Sequence, residues 1–179
     1  MISDRFPYDL PSFEALVRLV QETKPQWNVR AGFVKFGDLY ASPTPELPGR
    51  TFIEMEDLYN QTKYWFVYRR LNFALVSSLP KAKITIHGKA TPKSIAEEIN
   101  RSRKMFLGPQ DVDFSNEDVA HGRTTFTYTL KALPLSYVYY GQTDLTIEVI
   151  ANTTVENARL LEDGSYRLLE DGTIRVLES

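Results

Sequence analysis

Gly49-Arg50-Thr51-Phe52-Ile53-Glu54-Met55-Glu56 is the stretch on which the fold turns. Successive side chains of a strand point to opposite faces, so Ile53 and Met55 fall on one side and Glu54 and Glu56 on the other, as in a strand with one buried face. A second stretch opens in the same way 73 residues later, Gly122-Arg123-Thr124 followed by Thr125-Phe126-Thr127-Tyr128-Thr129-Leu130. The same offset carries Tyr64-Trp65-Phe66-Val67 onto Tyr137-Val138-Tyr139-Tyr140. Upstream, Val34 and Phe36 match Val112 and Phe114 at an offset of 78, and Ser12-Phe13 and Val17 match Ser94-Ile95 and Ile99 at 82. The offset changes where loops are expected, and connecting segments tolerate length changes that packed elements do not. This pattern predicts a duplicated unit of one helix and antiparallel strands, with Ile53 and Met55 in the places of Phe126 and Tyr128. The competing account is chance similarity between two amphipathic α+β segments.

The remaining elements follow from local signals. Phe13, Leu16, Val17 and Val20 recur at helical spacing after Pro11, which predicts a helix from Pro11 to Thr23. Pro25 ends it, because the residue before a proline is pushed out of the α region. A strand is expected from Asn28 to Phe36, then an exposed loop holding Pro43, Pro45 and Pro48, which lack ladder donors. Thr51 to Glu56 and the aromatic and branched run Tyr64 to Val76 read as strands. Lys83 to His87 is another. Thr91 and Pro92 are an N-cap and first-turn pair opening a helix to Lys104. Thr124 to Leu130 and Tyr137 to Ile150 complete the second unit. The fold class expected is α+β, as two tandem, related helix-plus-antiparallel-strand units, residues 1–80 and 81–152, packed as one body. A C-terminal β-meander or extended tail, residues 153–179, follows them.

That tail repeats with period eight: Leu160-Leu161-Glu162-Asp163-Gly164-Ser165-Tyr166-Arg167, then Leu168-Leu169-Glu170-Asp171-Gly172-Thr173-Ile174-Arg175, then Val176-Leu177-Glu178. Asp-Gly between alternating segments is a strong hairpin signal. With two-residue turns, Leu161, Tyr166 and Leu177 share one face, while Leu160, Leu169, Ile174 and Val176 share the other with Arg167. A meander this small is marginal alone and should dock elsewhere. Leu160, Leu161, Tyr166, Leu168, Leu169, Ile174, Val176 and Leu177 are therefore the candidate subunit interface; the plainer alternative is a loose tail.

With 179 residues the chain can bury a sizeable core without a staple. It has no cysteine, which excludes disulfides and thiolate metal sites. A formal charge of -2, from 21 basic and 23 acidic residues, supplies no polycation for phosphates, so nucleic acid is not expected as a partner. The start, Met1-Ile2-Ser3-Asp4-Arg5-Phe6-Pro7, shows no apolar leader. No run approaches the roughly 20 apolar residues of a membrane span, so a membrane is not expected as a partner either.

Catalytic chemistry is sought and not found. His87 and His121 stand in no spacing that suggests a triad. Asp111-Val112-Asp113-Phe114-Ser115-Asn116-Glu117-Asp118 resembles the start of a calcium loop but lacks glycine at the sixth position and glutamate at the twelfth, so it reads as an acidic, solvated loop. Glu97 and Glu98 beside Arg101 and Arg103 read as i,i+4 ion pairs on a helix. Tyr64, Phe66 and Tyr68 with Arg69 and Arg70 could form a stacking platform, although core packing explains them better. No catalytic, cofactor-binding or metal-binding residue, no cofactor and no small-molecule substrate are expected.

Val34-Lys35-Phe36-Gly37, the Gly-Arg-Thr openings and Tyr68-Arg69-Arg70-Leu71-Asn72-Phe73 together resemble the repeated α+β module of virion structural proteins of large tailed bacteriophages. There the last segment reads Tyr-Asn-Arg-Leu followed by an aspartate and an apolar residue, so Arg69 is a departure. Thr146-Ile147-Glu148-Val149 is similar to that family's terminal strand, and the Leu-Leu-Glu-Asp-Gly octads look like tail segments of phage structural proteins. The resemblance implies a non-enzymatic structural or assembly protein of a virion, in its tail, baseplate, neck or head surface, made in the host cytoplasm. Its partners would be other virion structural proteins or copies of itself. The alternative is a small glycan- or peptide-binding, adhesin-like module using its aromatic strands.

Overall fold

The computed structural model describes residues 9–41 and 50–151 and is a mixed α+β structure with two helices and several sheets. Helix α1, Ser12–Thr23, follows Pro11 and stops at Lys24, before Pro25; it turns Ala15, Leu16, Val17, Leu19 and Val20 inward. The strand expected from Asn28 begins later. Pro25–Trp27 and Ala31–Phe33 form short 3-10 turns, and Asn28 between them is left-handed (φ 48°), which the extended backbone of a strand excludes. Strand β1 is Val34–Ala41 and β2 is Arg50–Asp57, whose side chains alternate between buried and half-buried as the sequence predicts. Strand β3, Thr62–Arg69, closes an antiparallel sheet in the order β1-β2-β3.

The aromatic run does not continue to Val76 as one strand. It breaks after Arg69, Leu71–Asn72 forms a two-residue β4, and Phe73–Leu75 is a 3-10 turn whose Ala74 N–H donates to Asn72 Oδ1 at 3.0 Å. After strand β5, Lys83–His87, helix α2 runs Pro92–Arg103. Thr91 and Ser94 form the reciprocal capping box at its start, with bonds of 3.0 and 2.9 Å that satisfy two otherwise orphaned donors. Strand β6 is Thr125–Lys131. The expected strand from Tyr137 is divided into β7, Tyr139–Tyr140, and β8, Gln142–Ile150, by Gly141 at φ 77°. A Cβ at Gly141 would lie 2.6 Å from Asn72 Oδ1, so both the dihedral and the space call for glycine.

The second three-stranded sheet has the order β5-β8-β6, with β6 antiparallel to β8 and β5 parallel to it. The expectation of antiparallel strands in both units is corrected at this pair. Val112 and Phe114, matched by sequence to β1, form no strand; Val112 makes one isolated bridge to Ala132. The facing of the matched residues agrees: Ile53 and Met55 are fully buried, Phe126 is buried and Tyr128 packs half-buried on the same core. Their rank in the sheet differs, because β2 is a central strand and β6 an edge.

A continuous hydrophobic core runs from α1 through both sheets to α2. Between the sheets, β4 pairs in parallel with β7, and Phe73 stacks on Tyr139 at 4.9 Å. Tyr68 donates its hydroxyl to the Tyr137 carbonyl at 2.9 Å. Arg70 donates to the carbonyls of Pro134, Ser136 and Tyr139 at 3.2, 3.1 and 3.4 Å and to the Thr51 hydroxyl at 3.0 Å. Arg70 thus occupies the break between β3 and β4, where its Nη1 serves the carbonyls and its Nε the Thr51 hydroxyl. Among the described residues no helix is long and apolar enough to cross a membrane.

Candidate functional site

The two faces of β3 separate structural from available aromatics. Phe66 and Tyr68 point into the core, and Tyr64 stacks on Trp27 at 4.5 Å. The imagined platform of Tyr64, Phe66 and Tyr68 is therefore interior. Trp65, one residue out of phase, is 58% exposed. Register places Tyr40, Phe52 and Val67 in one outward row, with Glu54 and Trp65 in the next. The rings of Tyr40 and Trp65 lie 6.0 Å apart. The rim is charged: Arg50 pairs across the ladder with Arg69 and sits 5.7 Å over the Phe52 ring, while Lys63 bonds Glu54 at 2.7 Å. That bond raises the Lys63 ammonium above its ordinary pKa. This face is thus an exposed aromatic centre between two arginines and an ion pair.

At the far end of the same sheet, Asp57 holds the β2–β3 turn. Its carboxylate accepts from the Asn60 side chain at 2.8 Å and from the backbone of Tyr59 and Asn60 at 2.9 and 3.2 Å. The Asn60 side-chain bond is the main cause that keeps this carboxyl below its ordinary pKa, with the backbone donors and the Arg30 charge acting in the same direction. The turn presents Leu58 and Tyr59 to solvent. Elsewhere Pro109, Leu133, Pro134, Leu135 and Tyr137 line an open apolar groove of about 630 Å3, with Leu135 mostly exposed.

The acidic loop differs from its expectation. Asp111 is fully buried and accepts from Ser12 Oγ, from Ser136 Oγ at 2.6 Å and from Gly108 N at 3.2 Å. It ties the start of α1 to the segments before and after β6. Burial raises its pKa, against the lowering effect of those three donors. Asp113 instead caps Ser115, and Asp118 accepts from Ala120 N, so the loop's oxygens are engaged in separate local bonds. Among the described residues no group of three His, Cys, Asp or Glu is placed to hold a metal ion. His87 is exposed at the end of β5, and His121 is exposed in a left-handed turn (φ 50°). The helix charges pair as Glu98 with Arg101 at i,i+3 (2.7 Å) and Lys93 with Glu97 at 3.9 Å, not as the expected i,i+4 pairs with Arg101 and Arg103.

The interface candidates Leu160, Leu161, Tyr166, Leu168, Leu169, Ile174, Val176 and Leu177 lie outside the described residues, as does the loop with Pro43, Pro45 and Pro48. Sequence reasoning missed Trp65 and Tyr40 as a surface pair and Asp111 as a core node. The run Tyr64 to Tyr68 is apolar on both faces and holds no signal for the first; the serines that bond Asp111 lie too far away in sequence to give one for the second. Comparison of the chain with protein-family models, with curated proteins and with solved structures finds no match.

Proposed function

We propose that this chain is a non-enzymatic structural or assembly protein of a tailed-bacteriophage virion, acting through contacts with other virion proteins or copies of itself. The observation that carries the assembly reading is the outward face of the first sheet, where Trp65 and Tyr40 stand exposed on one side of the cross-strand pair Arg50 and Arg69. Tryptophan, tyrosine and arginine are the residue types that dominate interface energies, and an exposed apolar patch with a polar rim marks an interaction surface. The virion assignment rests on the sequence resemblance. The tandem reading of residues 1–80 and 81–152 belongs to the same proposal, supported by the shared inward facing of Ile53, Met55, Phe126 and Tyr128. The octad tail, residues 153–179, is the second proposed interface.

Two measurements test it. Mass spectrometry of particles purified from the source of the chain should find it at stoichiometric level, and its absence would overturn the virion assignment. Tyr40→Ala with Trp65→Ala should cut incorporation at least about tenfold, while surface substitutions of this kind leave stability within about 0.5 kcal/mol each. Unchanged incorporation would remove this face from the assembly. A second reading, a glycan-binding module, is favoured by the same Trp65 ring, because a flat exposed indole can also receive the apolar face of a sugar.

A further inference from the structure

We propose that the β2–β3 turn and the bend before β1 form a subsite for one neutral pyranose ring; it rests on the second, glycan-binding reading. A shallow pocket of about 160 Å3 lies there, lined by Asn28, Arg30, Phe33, Asp57, Tyr59 and Asn60. Two of its walls are aromatic and wet: Tyr59 is 76% exposed and Phe33 48%, with their rings 6.0 Å apart and nearly perpendicular. Neither ring belongs to the hydrophobic core or packs against it.

The walls are held in place before any ligand arrives. Leu58 N donates to the Phe33 carbonyl at 2.8 Å and so fastens the hairpin tip to the bend. Asp57 fixes the turn through its three bonds. Asn28 is set by its left-handed backbone, and Gln21 Nε2 holds the next carbonyl, Val29 O, at 2.8 Å. Such pre-organisation lowers the entropy a ligand must overcome.

The polar groups fit a polyol. Among the described residues, the side chains of Asn28 and Arg30 make no hydrogen bond or ion pair, so an amide and a guanidinium are available at the rim. Asn60 gives one amide proton to Asp57 and keeps its carbonyl oxygen. A pyranose presents an apolar C–H face for an aromatic ring and a rim of hydroxyls that both donate and accept. The amides of Asn28 and Asn60 and the Arg30 guanidinium complement that rim, a few placed polar groups against an apolar wall. Asp57 balances Arg30, so the pocket carries no net charge and favours a neutral sugar over an anionic one. Its size admits one ring, and a ligand of about 12 heavy atoms implies a Kd on the order of 1 mM.

Saturation-transfer NMR on the full chain, with the methyl glycosides of glucose, galactose, mannose and N-acetylglucosamine as probes and methyl glucuronide as the acidic control, tests this. At least one neutral glycoside should receive saturation on its ring protons. Tyr59→Ala and Arg30→Gln should each weaken binding at least fivefold, Tyr59→Phe should retain it, and a change at the exposed Leu75, outside the pocket, Leu75→Ala, should leave it unchanged. Tyr59 and Arg30 are exposed, so these variants fold. Binding lost in Trp65→Ala but kept in Tyr59→Ala would overturn the subsite while leaving the glycan reading to the sheet face. Transfer to the glucuronide alone would overturn the neutral class, and transfer to no probe would overturn subsite and glycan reading together.

Discussion

In the first sheet each strand pairs with the next along the chain, β1 with β2 and β2 with β3, whereas in the second the last strand, β8, lies between β5 and β6. The stretches that match best by sequence, Arg50–Asp57 and Thr125–Lys131, therefore occupy different ranks, one central and one at an edge. On the central strand both faces are covered at least in part. On the edge strand the exposed Thr125, Thr127 and Thr129 alternate with Phe126, Tyr128 and Leu130. The difference teaches that alternation dictates which side chains face the core and leaves the choice of neighbour open. Facing is a property of a single strand with period two; pairing depends on chain closure over many residues. Local pairing keeps the closure entropy of the first sheet small, while β5 must wait for a strand about 60 residues further on.

The largest effect that would break or sharpen this comparison is at a matched pair. Met55 is fully buried on the central strand and Tyr128 half-buried on the edge. Met55→Ala should cost about 3 kcal/mol, the usual range for emptying a core site. At about 2–4 °C per kcal/mol for a chain of this size, the melting temperature should fall by about 6–12 °C. Tyr128→Ala should cost about 1 kcal/mol, the central value for a point substitution. Equal losses in chemical denaturation would show that the two positions are structurally equivalent after all. Because one core spans both sheets, each variant should still melt in a single transition; a split transition would mean two independent units.

Next in size is the contrast between neighbours Arg69 and Arg70. Arg69 stands exposed, while Arg70 serves three carbonyls and the Thr51 hydroxyl across the seam between the sheets. Hydrogen bonds to charged groups are the stronger kind, and stranding their acceptors adds a desolvation cost, although Arg70 remains partly wet. Arg70→Met should cost about 2 kcal/mol and Arg69→Ala under about 0.5 kcal/mol. Similar midpoints for the two variants would remove Arg70 as the tie between the sheets.

The helices, the N-cap at Thr91, and the facing of β2 were legible because each is set by residues within one or two turns of itself. The break after Arg69 was not, since aromatic and branched residues continue through Phe73 and Val76, and what halts the strand is an arginine satisfied by carbonyls more than 60 residues away. Asn28 illustrates a local signal of another kind: an asparagine beyond a proline-opened turn tolerates the left-handed conformation, and so delays β1 to Val34. At the surface, the run Tyr64 to Val67 gave two faces of similar apolarity, so composition alone could not say that Trp65 would be the one left outside. Phe33 and Tyr59 are 26 residues apart in sequence and meet only because Leu58 bonds the Phe33 carbonyl.

The smallest expected effect lies at Asp111, which joins α1 to the segments flanking β6 and so touches both regions compared. Burial raises its folded-state pKa above the unfolded value. Between those two values the folded state binds more protons than the unfolded state, so unfolding free energy falls as pH rises through that window. The contribution is therefore unfavourable at neutral pH, where a buried carboxylate must be kept ionised, and is relieved as pH falls through the folded pKa. Asp57 acts with the opposite sign, because its lowered pKa adds stability above the unfolded value that is lost in acid. Comparing the parent with Asp111→Asn cancels Asp57 and isolates the first contribution. The substituted amide would keep an oxygen for Ser12 and Ser136 and lose the acceptor for Gly108 N, so the variant should lie within about 1 kcal/mol of the parent at pH 7. On acidification from pH 7 the parent should gain on the variant, and the gap should level off below the ordinary carboxyl pKa. A gap that moves the other way would mean that the donors of Ser12, Ser136 and Gly108 outweigh burial. Asp111 would then be an ionised anchor that favours the folded state at neutral pH.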